Sequence, residues 1–248
     1  MFEVYSYLFF KNEFMRFYLL LIIFTLPAFC LGQDRNVVVT YGLVFYDDEL
    51  FNVSENPFKR HLDYAINNPN RFIFDLKINS KGSSFELKNH LSLEEKSLSD
   101  DLSFVFAQYY GVVFSVSNSI LTPNPLIGNN VFVKTAALND WELTNETKEI
   151  DGHLCYKATR FNVVVRELRT FKHPVIAWYC PEISYNHGPL GYGNLPGLIL
   201  QLQIRNVVYG ALKIDLESDD KPNFNILKKS EIITEGEKSV RFKKLYDN

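Results

Sequence analysis

The sequence predicts a mainly β protein: a single antiparallel, strongly curved sheet, or an open barrel or half-barrel meander, with one or two short helices. Two observations predict it. From Asn36 onward, apolar and polar residues alternate with period two in segment after segment, the repeat that lines up side chains on one face of a strand. Those segments are rich in strand-favouring residues, with 21 Phe and 14 Tyr in 248 residues. Hydrophobic residues make up 46%, enough for a sizeable core and too many for a disordered chain. No internal repeat, low-complexity stretch or Gly/Ser linker divides the chain, so residues 33–248 read as one β-rich domain. The net charge of −3 comes from well-mixed charges without a long single-sign run, which excludes a nucleic-acid footprint.

The first segment reads as a leader. Met15-Arg16 precedes an apolar run from Phe17 to Phe29, then Cys30-Leu31-Gly32-Gln33. A positive start, a short apolar run and small residues at the cut describe a signal peptide over residues 1–32, with 1–14 a start-site extension. The run is short for a membrane span, so no span is expected in the mature chain. Cys30 raises a lipid anchor as an alternative, but Phe29 stands where a lipoprotein signal needs a small residue, which favours cleavage after Gly32.

Val37–Tyr46 is apolar on both faces and reads as a buried strand. Pro57–Asn68 places Leu62, Ala65 and Ile66 on one side of a short helix opened by Pro57. Arg71–Ile78 alternates with Phe72, Phe74, Leu76 and Ile78 inward, and Ser80–Ser83 turns it into a partner strand with Phe85 and Leu87 inward. Ser99 can cap a helix running through Asp100 and Asp101 to Gln108, followed by a strand at Val112–Ser117. Thr122–Asn130 reads as a loop. Further strands are expected at Val131–Thr135, Trp141–Thr147, Leu154–Phe161, Val175–Cys180, Leu198–Ile204, Val208–Leu216 and Ile226–Thr234, ahead of a charged end. Leu212, Ile214 and Leu216 alternate with Lys213, Asp215 and Glu217 and give that strand one apolar face.

The chain is organised around Gly188–Ile204. Turn residues Gly188, Pro189, Gly191, Gly193 and Asn194 lead to a Pro196–Gly197 corner, where Pro196 presets φ and Gly197 supplies the positive φ of a type II turn. Leu198, Leu200, Leu202 and Ile204 then point to one face, and Ile199, Gln201, Gln203 and Arg205 to the other. Leu195–Leu200, preceded by Ala177–Ile183 (AWYCPEI) and by Glu149–Thr159 (EIDGHLCYKAT), resembles the GLPGLI family of exported proteins of Gram-negative bacteria. Two departures stand out: Asn194 replaces the first glycine of the motif, and Cys180 stands where a threonine is usual. Asn tolerates the left-handed conformation, so the turn is expected to survive. The resemblance covers about Trp141–Leu216. It implies export to the periplasm or cell envelope and a mainly β structure, and it supplies no catalytic residue.

The residues marked out by this region are Trp178, Tyr179, Glu182, Gly188, Pro189, Tyr192, Leu195, Pro196, Gly197 and Leu198, read as a ligand or motif region and a structural corner. Leu, Pro, Gly and Ile cannot move a proton or attack a carbon. Once a leader with Cys30 is removed, Cys155 and Cys180 remain, either as a disulfide between neighbouring strands or as two separate buried thiols. Of five histidines, His61, His90, His153, His173 and His187, none forms a metal motif. His153, His173 and His187 are lesser metal candidates alongside the cysteines and Glu182; the plainer reading is surface histidines beside a disulfide. No cofactor is expected. No Gly-x-Ser-x-Gly nucleophile elbow occurs.

Strands apolar on both faces need cover on both sides. That cover is either a helix or second sheet, or the ligand of a curved sheet whose concave face forms an apolar cavity. Two function classes follow. The first is a non-enzymatic envelope module that holds a lipid, another apolar ligand or an apolar segment of an envelope protein. The second is a hydrolase or metal-dependent enzyme whose site is scattered in sequence.

Overall fold

The structure is a computed structural model that describes residues 35–46, 59–88, 97–166 and 169–246. The leader 1–32 with Cys30, Pro57 at the head of the first expected helix, and His90 lie outside the described residues. Twelve strands form one sheet: β1 (Asn36–Phe45), β2 (Ile73–Asn79), β3 (Gly82–Leu87), β4 (Val113–Val116), β5 (Ser119–Pro123), β6 (Val131–Ala136), β7 (Glu142–Ile150), β8 (His153–Arg166), β9 (Arg169–Cys180), β10 (Leu198–Ile204), β11 (Val207–Ser218) and β12 (Glu231–Thr234). Their spatial order is β12-β6-β5-β4-β3-β2-β1-β11-β10-β9-β8-β7, open at β12 and β7 and not closed into a barrel. Two meanders, β1 to β6 and β7 to β11, are joined where β1 pairs with β11.

The expected all-antiparallel sheet is corrected at one edge. β12 runs parallel to β6, with Glu231 opposite Val131 and Thr234 opposite Lys134. A parallel pair needs a crossover connection, and here the chain leaves β11 mid-sheet and travels to the far edge through residues 219–230. The strand expected at Ile226–Thr234 is therefore split into a 3-10 turn at Phe224–Lys229 and the short β12. Among the described residues there are three α-helices rather than one or two: α1 (Lys59–Asn67), α2 (Leu98–Phe106) and α3 (Glu235–Tyr246). The charged end is α3, opened by a capping box in which Glu237 accepts from Thr234 N at 2.7 Å and donates its own N–H to Thr234 Oγ1 at 3.3 Å.

The main core lies on one face of the sheet; a smaller cluster of Phe114, Leu121 and Phe132, covered by Phe224 and Leu227, lies on the other. Val37, Val39, Tyr41 and Leu43 of β1 alternate into the main core, with Phe74, Leu76 and Ile78 of β2, Phe85 of β3, and Leu198, Ile199, Leu200, Leu202 and Ile204 of β10. Ile199, expected on the opposite face with Gln201, is fully buried because a register shift between Ile199 and Gln201 breaks the alternation. Rings meet edge-on or stacked, as in Phe74–Phe85 at 5.2 Å and Phe74–Tyr109 at 4.9 Å between centroids. Two buried phenols are satisfied by backbone: Tyr41 donates to Ile199 O at 2.6 Å and Tyr209 to Ala107 O at 2.7 Å. Ala65 of α1, Phe104 of α2, and Ile183, Tyr192 and Leu195 of the β9–β10 loop belong to the same core. Most of the buried aromatic residues therefore fill this face, and α1, α2 and the loop cover it.

The helix cover is fastened by charge. Asp100 lies wholly buried in α2 and receives Arg71 Nε at 2.8 Å and Nη2 at 2.9 Å. Burial alone would raise its pKa, but hydrogen bonds from Arg71 and Ser97 prevail and hold it at about 2. Ser97, not Ser99, is the N-cap, in a capping box with Asp100. Ser99 instead meets His61 Nδ1 at 2.9 Å.

Other expectations are corrected. Ile66 is 44% exposed, because α1 turns His61 and Ala65 to the core; the side chain of Leu62, expected on the same side, lies outside the described residues. Leu212 and Leu216 are exposed: a register shift between Thr40 and Tyr41 of β1, opposite Lys213 and Ala211, leaves Leu212 outside the pairing. Thr122–Asn130 is not all loop, since β5 runs to Pro123 after a turn in which Ser117 (φ 48) and Asn118 (φ 59) are both left-handed. The stretch Asn162–Pro174, between the strands expected at Leu154–Phe161 and Val175–Cys180, is itself strand rather than connection. β8 and β9 pair residue by residue from Tyr156↔Tyr179 to Arg166↔Arg169 as one long hairpin.

Candidate functional site

The β9–β10 loop, residues 181–197, crosses the core face and carries most of the marked residues. Its corner is set by Gly197, whose φ is +151. A Cβ there would stand 2.1 Å from Cys180 O and 2.8 Å from Pro181 Cα, so only glycine fits against that backbone. The turn differs from the expected type II. Gly197 N donates to Leu195 O at 2.7 Å, a γ-turn centred on Pro196. Leu198 N then donates to Ile183 O at 3.0 Å, tying the corner to the turn that follows Cys180. Leu195 and Leu198 are buried while Pro196 is exposed.

Gly188 is extended and packs against Ile199, where a Cβ would come within 2.8 Å. Pro189, itself buried, opens a 3-10 turn through Gly191. Asn194 takes φ 59, the left-handed conformation that allows it to replace glycine. Its amide also donates to Asn139 Oδ1 at 2.7 Å and Leu138 O at 3.2 Å, bonds a glycine could not make.

Around Tyr192 lies a network that sequence reasoning missed. Arg160, 9% exposed, pairs with Asp140 through Nε at 2.9 Å and Nη2 at 3.1 Å, and donates from Nη1 to Asn162 Oδ1 at 2.7 Å. Asn162 donates to the Tyr192 hydroxyl at 2.9 Å. The guanidinium lies 5.8 Å from the rings of both Trp141 and Tyr192. The Trp141 indole donates to Gly193 O at 2.9 Å. The hydrogen bond from Arg160 lowers the Asp140 pKa. No local motif could reveal this set, because residues 140, 160 and 192 come together only through the pairing of β7 with β8 and the fold-back of the loop.

His187 touches Ser83 Oγ at 3.1 Å through Nδ1 and is brought by burial to a pKa of about 4. It lines a polar cleft of about 300 Å³ with Ser115, Asn118, Asn186 and Asn194. His173 lies on the β8–β9 hairpin, stacked on Phe171 at 6.4 Å. Trp178 carries Lys148 Nζ 4.4 Å over its ring, and Lys148 donates to Gln201 Oε1 at 2.6 Å. Tyr179 is buried beside Tyr156, 6.2 Å between ring centroids.

Cys155 and Cys180 are free thiols, both fully buried, in place of the expected disulfide. They occupy the positions just past the Tyr156↔Tyr179 pair on β8 and β9. Burial, with Cys180 beside it, pushes the Cys155 thiol up to about 12. Cys180 Sγ is the one drawn into a polar cluster: its sulfur, a ring nitrogen of His153 and a carboxylate oxygen of Glu182 lie within 4.8 Å of one another. His153 Nδ1 is 3.7 Å from Glu182 Oε2. The structure thus brings together His153, Cys180 and Glu182 of the sequence candidates, and places His173 and His187 elsewhere.

A second groove, of about 540 Å³, is lined by Tyr110, Val164, Phe171, His173, Ile204 and Arg205, among others. Val164 and Phe171 are cross-strand partners on the far part of the hairpin, 37% and 42% exposed.

No curated protein matches the sequence. Two solved structures, described as the structure of PNGF-II in the C2 and P21 space groups, are each 15% identical over 81% and 84% of this chain, with TM-scores of 0.45 and 0.49. The chain spans only 31% and 34% of those chains, about a third of their length. Residues 165–201, from the end of β8 through β9 and the Gly197 corner, match the model of a family described as a protein of unknown function (Porph_ging), on the segment that also carries the resemblance to the GLPGLI family.

Proposed function

We propose that the protein is an exported cell-envelope module that binds an apolar ligand without catalysing a reaction, and that the ligand lies along the groove beside the β8–β9 hairpin. One observation carries this reading. The face of β8 and β9 that holds buried Ala158, Ala177 and Val175 continues outward as Val164 and Phe171, half-exposed, where no element among the described residues covers them. Exposed paired apolar residues of this kind mark interaction sites. Arg205 and His173 line the same groove, so a single-chain amphiphile with an anionic head, such as a fatty acid, suits it best. The core face itself is filled by Tyr41, Phe74, Phe85 and Tyr209, which moves the ligand from the concave interior to the hairpin.

The test is titration of the purified protein with a fluorescent fatty acid, beside Val164→Asp and Phe171→Asp. Binding to the wild type, lost in both variants at unchanged melting temperature, is the expected result. Absent binding, or binding indifferent to both substitutions, overturns the reading.

A further inference from the structure

The geometry points to a divalent-metal site of the zinc type formed by His153, Cys180 and Glu182. The three donors are an imidazole nitrogen, a thiolate sulfur and a carboxylate oxygen, the set from which zinc sites are built. They come from three separately fixed places. His153 opens β8, Cys180 closes β9, and Glu182 sits in the turn after it. Tetrahedral coordination at ordinary Zn–N, Zn–O and Zn–S lengths puts donors about 3.3–3.6 Å apart. His153 Nδ1 and Glu182 Oε2 are at 3.7 Å, and all three donors fall within 4.8 Å, so a bound ion requires movements of the side-chain ends only.

Burial fits the same assignment. Cys180 is fully buried and fixes the inner corner of the site, whereas Glu182 is 68% exposed and His153 33% exposed, leaving an entry path from solvent. Glu182 also lines a cavity of about 290 Å³ with Leu154, Tyr156, Tyr179 and Pro181. Three protein donors leave a fourth coordination position for water or a small ligand. This site stands apart from the groove proposed above and does not rest on it.

Cys155 sets a condition on the site. It occupies the position across from Cys180, one step beyond the Tyr156↔Tyr179 pair. A Cys155–Cys180 disulfide would remove the thiolate, so the metal requires both cysteines as thiols, as they stand here.

The exported protein is first titrated for thiols under denaturing, non-reducing conditions, then dialysed against Zn²⁺ alone or Co²⁺ alone. Two free thiols, one ion per chain, and a thiolate-to-cobalt charge-transfer band with the visible spectrum of a four-coordinate ion are expected. His153→Ala and Glu182→Gln, both on partly exposed side chains, should each weaken Zn²⁺ binding by more than about 10-fold. His173→Ala should leave it unchanged. A disulfide in the exported protein, a stoichiometry near zero, or affinities that ignore His153→Ala and Glu182→Gln would each overturn the proposal.

Discussion

Gly197→Ala adds one methyl group and should lower stability by about 2–6 kcal/mol. Two costs combine. An L residue held at φ +151 stores roughly 1–3 kcal/mol of backbone strain. The new Cβ would also stand 2.1 Å from Cys180 O and 2.5 Å from Cys180 C, contacts with backbone that no rotamer relieves. Cys180 is held between neighbours, with Leu198 paired to it on β10, so it cannot withdraw without breaking sheet register. Forced overpacking of this kind costs about 1–3 kcal/mol more. For a chain of this size each kcal/mol moves the melting temperature by about 2–4 °C, so a fall of about 10 °C is expected. The assay is thermal unfolding followed by far-ultraviolet circular dichroism, with Gly152→Ala as the control. Gly152 also has positive φ, at 77, but nothing lies within 4 Å of a Cβ there, so it isolates the conformational cost. If Gly197→Ala melts within about 2 °C of wild type, or falls no further than Gly152→Ala, the close approach to Cys180 is not what fixes glycine at this corner. A variant that melts normally but loses fatty-acid binding would place function in the motif itself.

Two further outcomes follow from the loop and its partners. Arg160→Met should cost roughly 2–3 kcal/mol in urea unfolding, because Asn162 and Tyr192 lose their order around a buried guanidinium; Asp140→Asn, on a carboxylate 60% exposed, should cost under about 1 kcal/mol. His187 titrates at about 4 in the folded protein against 6.5 for an unperturbed histidine, because burial disfavours its charged form. Its stabilising contribution is therefore complete above about pH 6.5 and is lost as pH falls toward 4, up to roughly 3 kcal/mol, a slope in urea midpoint against pH that His187→Gln should flatten.

Local pattern was enough where one face of a strand was buried and the other was not. Phe72, Phe74, Leu76 and Ile78 alternated in the sequence and are all buried in the structure. It failed where charge overlaid strand-forming residues. Arg166, Arg169 and Lys172 disguise the far half of the β8–β9 hairpin, although Val163 and Val164 stand just before Arg166 and Phe171 lies between Arg169 and Lys172. The Thr234-x-x-Glu237 capping box is present in the sequence, but it stands ahead of a charged segment containing Gly236 rather than of an apolar run, so local pattern reads only a charged end. The placement of β12 beside β6 was not legible at all, since nothing local states which edge a strand joins. The candidate site divides the same way. Gly197 and Asn194 declare their backbone conformations by residue type, whereas Asp140, Arg160 and Tyr192 become a unit only through tertiary pairing.

The signature corner and the His153–Cys180–Glu182 cluster are mechanically one object. Gly197 lies against the Cys180 carbonyl, Leu198 pairs with Cys180 and donates to Ile183 O, and Ile183 N donates to Cys180 O at 3.3 Å. These contacts fix both ends of the four-residue turn in which Cys180 and Glu182 stand. A motif whose own side chains carry no reactive group can thus position a thiol and a carboxylate beside it, which separates the question of what the motif does from that of what its residues are. It follows that damage at Gly197 should spread to the cluster before it spreads to the hairpin groove. Val164 and Phe171 are held by the β8–β9 pairing, in which residue 197 takes no part. Under the metal assignment, Gly197→Ala assayed below its lowered melting temperature should lose Zn²⁺ affinity while retaining fatty-acid binding, and equal loss of both would mean that the corner supports the whole sheet rather than its neighbouring turn.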